Sequence, residues 1–362
     1  MLFRSVVESW VYHSFDPVPS RREKARLNAE EAVRLQPDLP EGHLALGFSY
    51  YYGDRDYERA LSEFEIARRG LPNESQAYLA IGSIQRRQGK WAESTANLEK
   101  AAELDPKNMN VLVNLCFSYV AQRKFETADK FLDRAIAASP QAFQPRALKG
   151  FMAVLWKGDL GAAEKVFSST QTENDPEGLI TWGRVWILTL ERKFTEALQL
   201  LQRFRGETMF TTTTAPAPKA LLEGLIHLLQ GDKTKAQPEL EHARLISEKL
   251  LREAPEDSAR HAQHGLILAT LGQKQEAIAE GKRAVELLPE SQDALDGPQA
   301  TANLAQIYTW TGEFDEAFRL LDHLFVVPSN LTVPMLKLDP AWDPLRQDPR
   351  YQALIDKYSP KS

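Results

Sequence analysis

Cysteine occurs once in these 362 residues, at Cys116, which excludes an internal disulfide and a multi-cysteine zinc site. Basic charge is not in excess: 44 Lys and Arg stand against 50 Asp and Glu, a formal net charge of −6. A nucleic-acid footprint shows as a basic domain or stripe, so nucleic acid is not an expected partner. No apolar run approaches the ~20 residues of a membrane span, so membrane insertion is not expected. Residues 1–13 interrupt their apolar side chains with Arg4, Glu8 and His13, no secretory h-region is expected, and the expected location is cytoplasmic, the alternative being extracytoplasmic as part of a membrane-anchored parent. Signature motifs of chemistry are missing as well. There is no Gly-x-Gly-x-x-Gly, Gly-x-Ser-x-Gly or His-Glu-x-x-His. Gly89-Lys90 is followed by Trp91 where a phosphate loop needs Ser or Thr, and it fits an inter-helix turn. Acidic side chains scatter without forming the convergent pair that general acid–base catalysis requires. The chain is therefore expected to be neither an enzyme nor a holder of a cofactor or metal. With 43% hydrophobic and 26% charged residues it has the composition of a folded protein.

What the sequence does contain is a period. Pro37, Pro72, Pro106 and Pro140 recur at spacings of 35, 34 and 34. Ala32, Ala67, Ala101 and Ala135 keep the same spacings, as do the small residues Gly47, Gly82, Cys116 and Gly150. Tyr57, Trp91 and Phe125 form a further column, and Phe64, Leu98 and Leu132 another. Two antiparallel helices per period explain these columns. A small residue in the first helix and alanines in the second let the pair approach closely. Gly89 sits where glycine ends a helix, and Pro106 where a helix interior cannot continue. The pattern over 39–142 resembles the tetratricopeptide repeat, a helix–turn–helix unit of about 34 residues.

That resemblance implies an all-α, right-handed α-solenoid of about nine helical hairpins. Residues 1–206 are expected to hold units one to six, with an inter-helix turn lengthened by Asp16-Pro17-Val18-Pro19-Ser20 in the first. Gly150, Gly158 and Ala163 mark the fifth unit, Phe194 and Ala197 the sixth. Residues 207–218, with Thr211–Thr214 and alternating prolines, lack an apolar period and are expected to be an exposed loop that divides the array. Units seven to nine then occupy 219–331. Gly231 to Gly272 exceeds the period by two helical turns, so the helix near 239–253 should overrun its neighbours, with Pro238 kinking it or delaying its start.

Residues 332–362 are expected to form a cap. Asp339-Pro340, Asp343-Pro344 and Asp348-Pro349 each offer Asp as N-cap and proline as first helical residue. Segment 336–358 should fold back on Leu320, Leu321 and Leu324, burying Trp342, Leu345 and Leu354. The stretch Leu336–Arg350 also resembles the tail of bacterial signalling proteins that join such repeats to a kinase, a nucleotide cyclase or a winged-helix domain.

The resemblance further implies that the first helices line a concave groove. It places there Glu41, Phe48, Tyr51 and Tyr52 in the second unit, Gln76, Ser83, Arg86 and Arg87 in the third, and Asn110, Asn114 and Phe117 in the fourth. Asn114 falls at a column where family members hold a peptide backbone, and Gln263 and Asn303 share it. Arg86 and Arg87 are positioned to take acidic groups of a partner. Where a chaperone-binding subclass clamps a carboxylate with lysines and an asparagine, this chain has Leu44, Leu79 and Val113. His261-x-x-His264 could present two imidazoles on one helical face, but both sit in packing columns and no third ligand is evident. Cys116, in the small-residue column, is expected to be a buried inert thiol, and Trp182 with Trp186 to be core. The implied function is a non-catalytic scaffold binding protein or extended peptide. The alternative is a sensory or regulatory region of a larger bacterial signalling protein.

Overall fold

The computed structural model describes residues 2–14, 19–168, 175, 177–211 and 215–359. Residues 16–18 of the expected long first turn and 212–214 of the expected loop lie outside these. The chain is all-α, and its helices run in hairpins of the expected length. In order they are α1 (Leu2–Ser14) with α2 (Pro19–Leu35), α3 (Pro40–Phe48) with α4 (Tyr57–Gly70), and α5 (Ser75–Arg87) with α6 (Trp91–Leu104). Next come α7 (Met109–Ala121) with α8 (Phe125–Ala138), α9 (Phe143–Lys157) with α10 (Leu160–Ser168), and α11 (Leu179–Leu190) with α12 (Phe194–Arg203). Then follow α13 (Lys219–Leu229) with α14 (Lys233–Glu253), α15 (Ser258–Thr270) with α16 (Lys274–Leu287), and α17 (Gly297–Thr311) with α18 (Phe314–Val326). No helix among the described residues is long and apolar enough to cross a membrane.

The repeat columns are the packing contacts. A Cβ on Gly47 would lie 2.5 Å from the Phe64 ring, and one on Gly82 would lie 2.8 Å from Leu98. Phe64, Leu98 and Leu132 are fully buried, as are Ala67, Ala101 and Ala135. Gly47→Ala is therefore expected to force the α3 and α4 axes apart and destabilise the protein by about 1–3 kcal/mol, the usual range for overpacking. A denaturant midpoint unchanged from the parent would show that this column does not set the helix spacing.

The turns inside the hairpins share one device. Gly89 takes a left-handed φ of 73°, while Gly89 N–H donates to the Arg86 carbonyl (3.0 Å) and Lys90 N–H to that of Gln85 (2.8 Å). Gly231, Gly272 and Gly312 repeat that conformation, but Arg55, Arg123 and Arg192 occupy it elsewhere with φ of 51°, 57° and 62°. The long helix is α14, 21 residues against 14 in α4, α6 and α16. Pro238 does not delay it. Asp232 caps the start by accepting the Lys235 N–H at 3.1 Å, and Pro238 lies inside the helix.

The chain divides into two compact units. The first comprises 1–119, 126–141 and the remote segment 291–294; the second comprises 120–125, 142–290 and 295–362. The expected break at 207–218 lies inside the second. Among the described residues of that stretch, several are buried where an exposed loop is expected. β1 (Thr208–Met209) pairs antiparallel with β2 (Ala217–Pro218), and Met209, Ala215 and Ala217 are buried. Met209 enters one cluster with Leu201 and Ile226, so the strand pair anchors α12 to α13.

At the end of the second unit, α19 (Val333–Leu338), a 3₁₀ turn (Pro340–Leu345) and α20 (Pro349–Tyr358) cover α17 and α18. Trp342, Leu345 and Leu354 are buried in one cluster with Leu320, Leu321 and Leu324. Asp339 and Asp348 cap the 3₁₀ turn and α20 by accepting the N–H groups of Ala341 and Arg350, both at 2.9 Å. Asp343 caps nothing; it lies within the 3₁₀ turn, and its carboxylate receives the Arg192 guanidinium.

Candidate functional site on the first helices

Along the first helices of the first unit, the side chains expected to line the groove differ in exposure. Glu41, Gln76 and Asn110, in the first turns of α3, α5 and α7, are exposed. Further along α7, Phe117 keeps 40% of its surface open, a high value for an aromatic ring. Tyr52 and Asn114 are half-buried. Phe48, Tyr51, Ser83, Arg86 and Arg87 are buried. Gln263 and Asn303 belong to the second unit and are half-buried. Gln263 Nε2 donates to the Pro216 carbonyl at 3.2 Å, and Asn303 Oδ1 accepts from Gln299 Nε2 at 3.1 Å.

The aromatic residues close on one another. Phe48 meets Phe64 edge-on at 5.0 Å between centroids and stacks on Tyr52 at 5.6 Å. After Phe48 the backbone widens into a π-helical stretch, Ser49–Asp54, and Tyr51 turns in beside Tyr57 with 6.0 Å between ring centres. Such widened turns recur at functional sites.

The two arginines do not face an open groove. They are 4% and 8% exposed, and both guanidinium groups are bonded inside the protein. Arg86 Nη1 donates to the Asn114 carbonyl (2.9 Å) and to Ser118 Oγ (3.1 Å), while its Nη2 donates to Asn114 Oδ1 (3.0 Å). Arg87 Nε donates to the Tyr51 hydroxyl at 2.8 Å, and its Nη1 donates to Asp293 Oδ2 at 2.6 Å. The same Asp293 oxygen accepts the Tyr57 hydroxyl at 2.8 Å. Burial pushes the Tyr57 phenol well above its ordinary range, so it remains a donor. Asp293 itself has no exposed surface. A buried cation left without an acceptor costs several kcal/mol, and two of the acceptors, Ser118 and Asp293, come from outside the expected groove positions. Asn114 is engaged at both ends: its Oδ1 accepts from Arg86, and its Nδ2 donates to the Asn110 carbonyl at 2.9 Å.

Asp293 is the site residue that the repeat columns miss, and Tyr57 appears in them only as a packing position. The one signal for Asp293 is length, since α16 and α17 are joined by 288–296 where α4 and α5 need only 71–74. An open cleft of about 610 Å³ adjoins the cluster, lined by Arg55, Asp56, Tyr57, Lys90, Ser291 and Gln292 among others.

Both histidines of the His261-x-x-His264 pair are hydrogen-bonded within the protein. His261 Nδ1 meets Glu280 Oε2 at 2.5 Å and its Nε2 meets the Pro255 carbonyl at 2.9 Å. His43 repeats the arrangement with Glu63 and the Pro37 carbonyl at 2.6 and 2.7 Å. His264 turns to Ser247 Oγ at 2.8 Å, away from His261's partners. No group of three or more metal-ligating side chains occurs among the described residues. Trp182 and Trp186 stack with 6.3 Å between centroids and pack on Phe151. Cys116 is 2% exposed, and burial pushes its thiol up to about 12. At pH 8 the thiolate that reacts is then a minute fraction, so a thiol-specific disulfide reagent is expected to label the native protein far more slowly than the unfolded one. Equal labelling rates would place Cys116 at the surface.

Two tetratricopeptide-repeat family models match the chain, over residues 44–108 and 85–155. This part of the protein carries tetratricopeptide repeats. The human protein O-mannosyl-transferase TMTC3 is 24% identical over 305 residues, covering 79% of this chain and 31% of its own length. The peroxisomal targeting signal receptor of Komagataella phaffii is 36% identical over 73 residues, 20% of this chain and 13% of the receptor. The chain thus spans less than a third of either relative. A crystal structure of a tetratricopeptide repeat protein from Parabacteroides merdae superposes with a TM-score of 0.47 at 16% identity, covering 67% of this chain and 91% of that one.

Proposed function

We propose that these repeats form a non-catalytic scaffold that binds protein or extended peptide along the first helices of the first unit. The observation that carries it is Phe117, a ring with 40% of its surface open, on the same helix as exposed Asn110, which is itself in register with exposed Gln76 and Glu41. An exposed aromatic among amides suits an extended peptide: the ring covers a side chain and the amides bond the backbone. The relative named as a targeting signal receptor agrees with a recognition role. Capture with the immobilised chain, followed by titration of peptides from the captured protein, tests it. Phe117→Ala is expected to weaken binding about tenfold or more, as loss of an aromatic anchor does. Asn110→Ala should weaken it by about 1 kcal/mol, a typical net hydrogen bond. If a confirmed partner binds both variants as tightly as the parent, this row is not the binding surface.

A further inference from the structure

We infer that the first unit contains a second recognition site, one for an aspartate-bearing peptide segment, and that the chain's own residues 291–294 fill it. The site is built from three side chains and one carbonyl. Arg87 Nη1 and the Tyr57 hydroxyl converge on one oxygen of Asp293 at 2.6 and 2.8 Å. The Tyr51 hydroxyl accepts Arg87 Nε at 2.8 Å, and the Arg87 guanidinium lies over the Tyr51 ring, 5.6 Å from its centre, so the fork is fixed before any carboxylate arrives. The next residue of the strap is recognised through its backbone: Ala294 N–H donates to the Arg87 carbonyl at 2.7 Å. One residue, Arg87, therefore reads both the acidic side chain and the following amide, which together define an Asp-x segment presented by a turn. Ala294 is small and lies against the turn at Gly89, where an added Cβ would come to 3.6 Å of the Ala294 methyl. Ser291 and Gln292 border the open cleft of about 610 Å³, which gives a competing segment a way in.

The chemistry is that of a ligand, although the donor is the same chain. Asp293 is 206 positions from Arg87, and it reaches the first unit on a four-residue segment whose flanking helices, α16 and α17, belong to the second. A partner bearing an acidic residue before a small one would make the same three contacts. The inference rests on the scaffold role proposed above, but it uses other residues.

The probe is a synthetic peptide of the strap, residues 288–297, Leu-Pro-Glu-Ser-Gln-Asp-Ala-Leu-Asp-Gly, labelled for fluorescence anisotropy. The parent, with its site filled, should bind it weakly. Asp293→Ala should bind at least tenfold tighter, and Asp293→Ala combined with Arg87→Ala should lose that gain. The same peptide with Asn for its first Asp should bind Asp293→Ala no better than it binds the parent. Asp293→Asn, which keeps the shape and loses the charge, serves beside Asp293→Ala. Circular dichroism and hydrogen exchange of α4 and α5 establish that each variant is folded. Folded variants without a gain, or a gain indifferent to Arg87 or to the peptide's carboxylate, overturn the inference. If neither Asp293 variant folds, the cluster is a structural core and the inference is likewise overturned. Failure here with Phe117-dependent partner binding intact removes this site alone; loss of the Phe117 effect with strap-peptide binding intact removes the other.

Discussion

Arg123→Ala is expected to destabilise the second unit by about 1–3 kcal/mol and to loosen the segment that follows α18. Arg123 donates from Nη1 to the Val327 carbonyl at 3.0 Å, and from Nη2 to the carbonyls of Leu324 and Leu331 at 2.7 and 3.2 Å and to Ser329 Oγ at 2.9 Å. Ser329 N–H returns a bond to the Ala121 carbonyl at 3.1 Å. Leu331 is buried, so removal of the guanidinium strands its carbonyl away from water at about 1–3 kcal/mol before relaxation, whereas the Leu324 carbonyl keeps the Ser329 hydroxyl at 2.7 Å. Partial exposure of the arginine lowers the total toward the smaller figure. Backbone strain supplies an internal control. Arg123 holds φ at 57°, where a non-glycine residue carries roughly 1 kcal/mol of strain. Arg123→Gly removes that strain together with the side chain, so it should be the milder variant by about that amount. Chemical denaturation of both variants measures the difference. Equal stability of Arg123→Ala and the parent would mean that water replaces the guanidinium without loss.

The same arginine column shows what was legible in the sequence and what was not. Periodicity identifies the hairpins because a helix pair must interlock small residues with large ones at every repeat, and Gly47 against Phe64 or Gly82 against Leu98 does so locally. Local contacts leave a local signature. Arg55, Arg123 and Arg192 fall where Gly89 falls, and column reasoning registers them only as departures. Two of them are explained by distant partners: Arg123 by residues 324–331, Arg192 by Asp343. Arg86 and Arg87 illustrate the same limit for the candidate site. Their position on the helix face follows from the repeat, but Asn114, Ser118 and Asp293 decide whether a guanidinium is open or spent, and a one-dimensional pattern has no term for such pairings. The described residues of 207–218 depart from expectation for another reason. The segment's threonines and prolines suggest a surface loop, yet two strand residues on each side bury Met209 and Ala217, a scale below any hydrophobic period.

Truncation after Asn330 is expected to have the largest effect of any change considered, and its pattern matters more than its size. The removed segment supplies Leu331, Val333, Leu336, Trp342, Leu345, Tyr351, Leu354 and Ile355 to a single cluster with Leu320, Leu321 and Leu324. Trp342→Ala alone should cost about 3–5 kcal/mol, the range for a buried aromatic cut to alanine. Polar ties go with it: Arg350 to Asp315 at 2.6 Å, Lys357 to Asp322 at 2.6 Å, and the Tyr351 hydroxyl to the Leu336 carbonyl at 2.8 Å. A stack of hairpins in which each packs on its neighbours loses protection locally when an end is removed. Amide exchange should therefore quicken in α17 and α18, whose apolar faces are uncovered. It should quicken in α9 as well, a helix far away in sequence, because Met335 and Leu338 of the tail pack into the cluster of Phe143, Val154 and Phe167. Gly158, at the end of α9, has Pro334 and Leu338 within reach of an added Cβ at 3.5 and 3.4 Å. The hairpin of α5 and α6, held by its own Gly82–Leu98 contact, should keep its protection. Loss confined to α17 and α18, with α9 unaffected, would mean that α19 rests on α9 without supporting it. Uniform loss from α3 through α18 would replace the nearest-neighbour stack with one cooperative core, in which no end can fray alone.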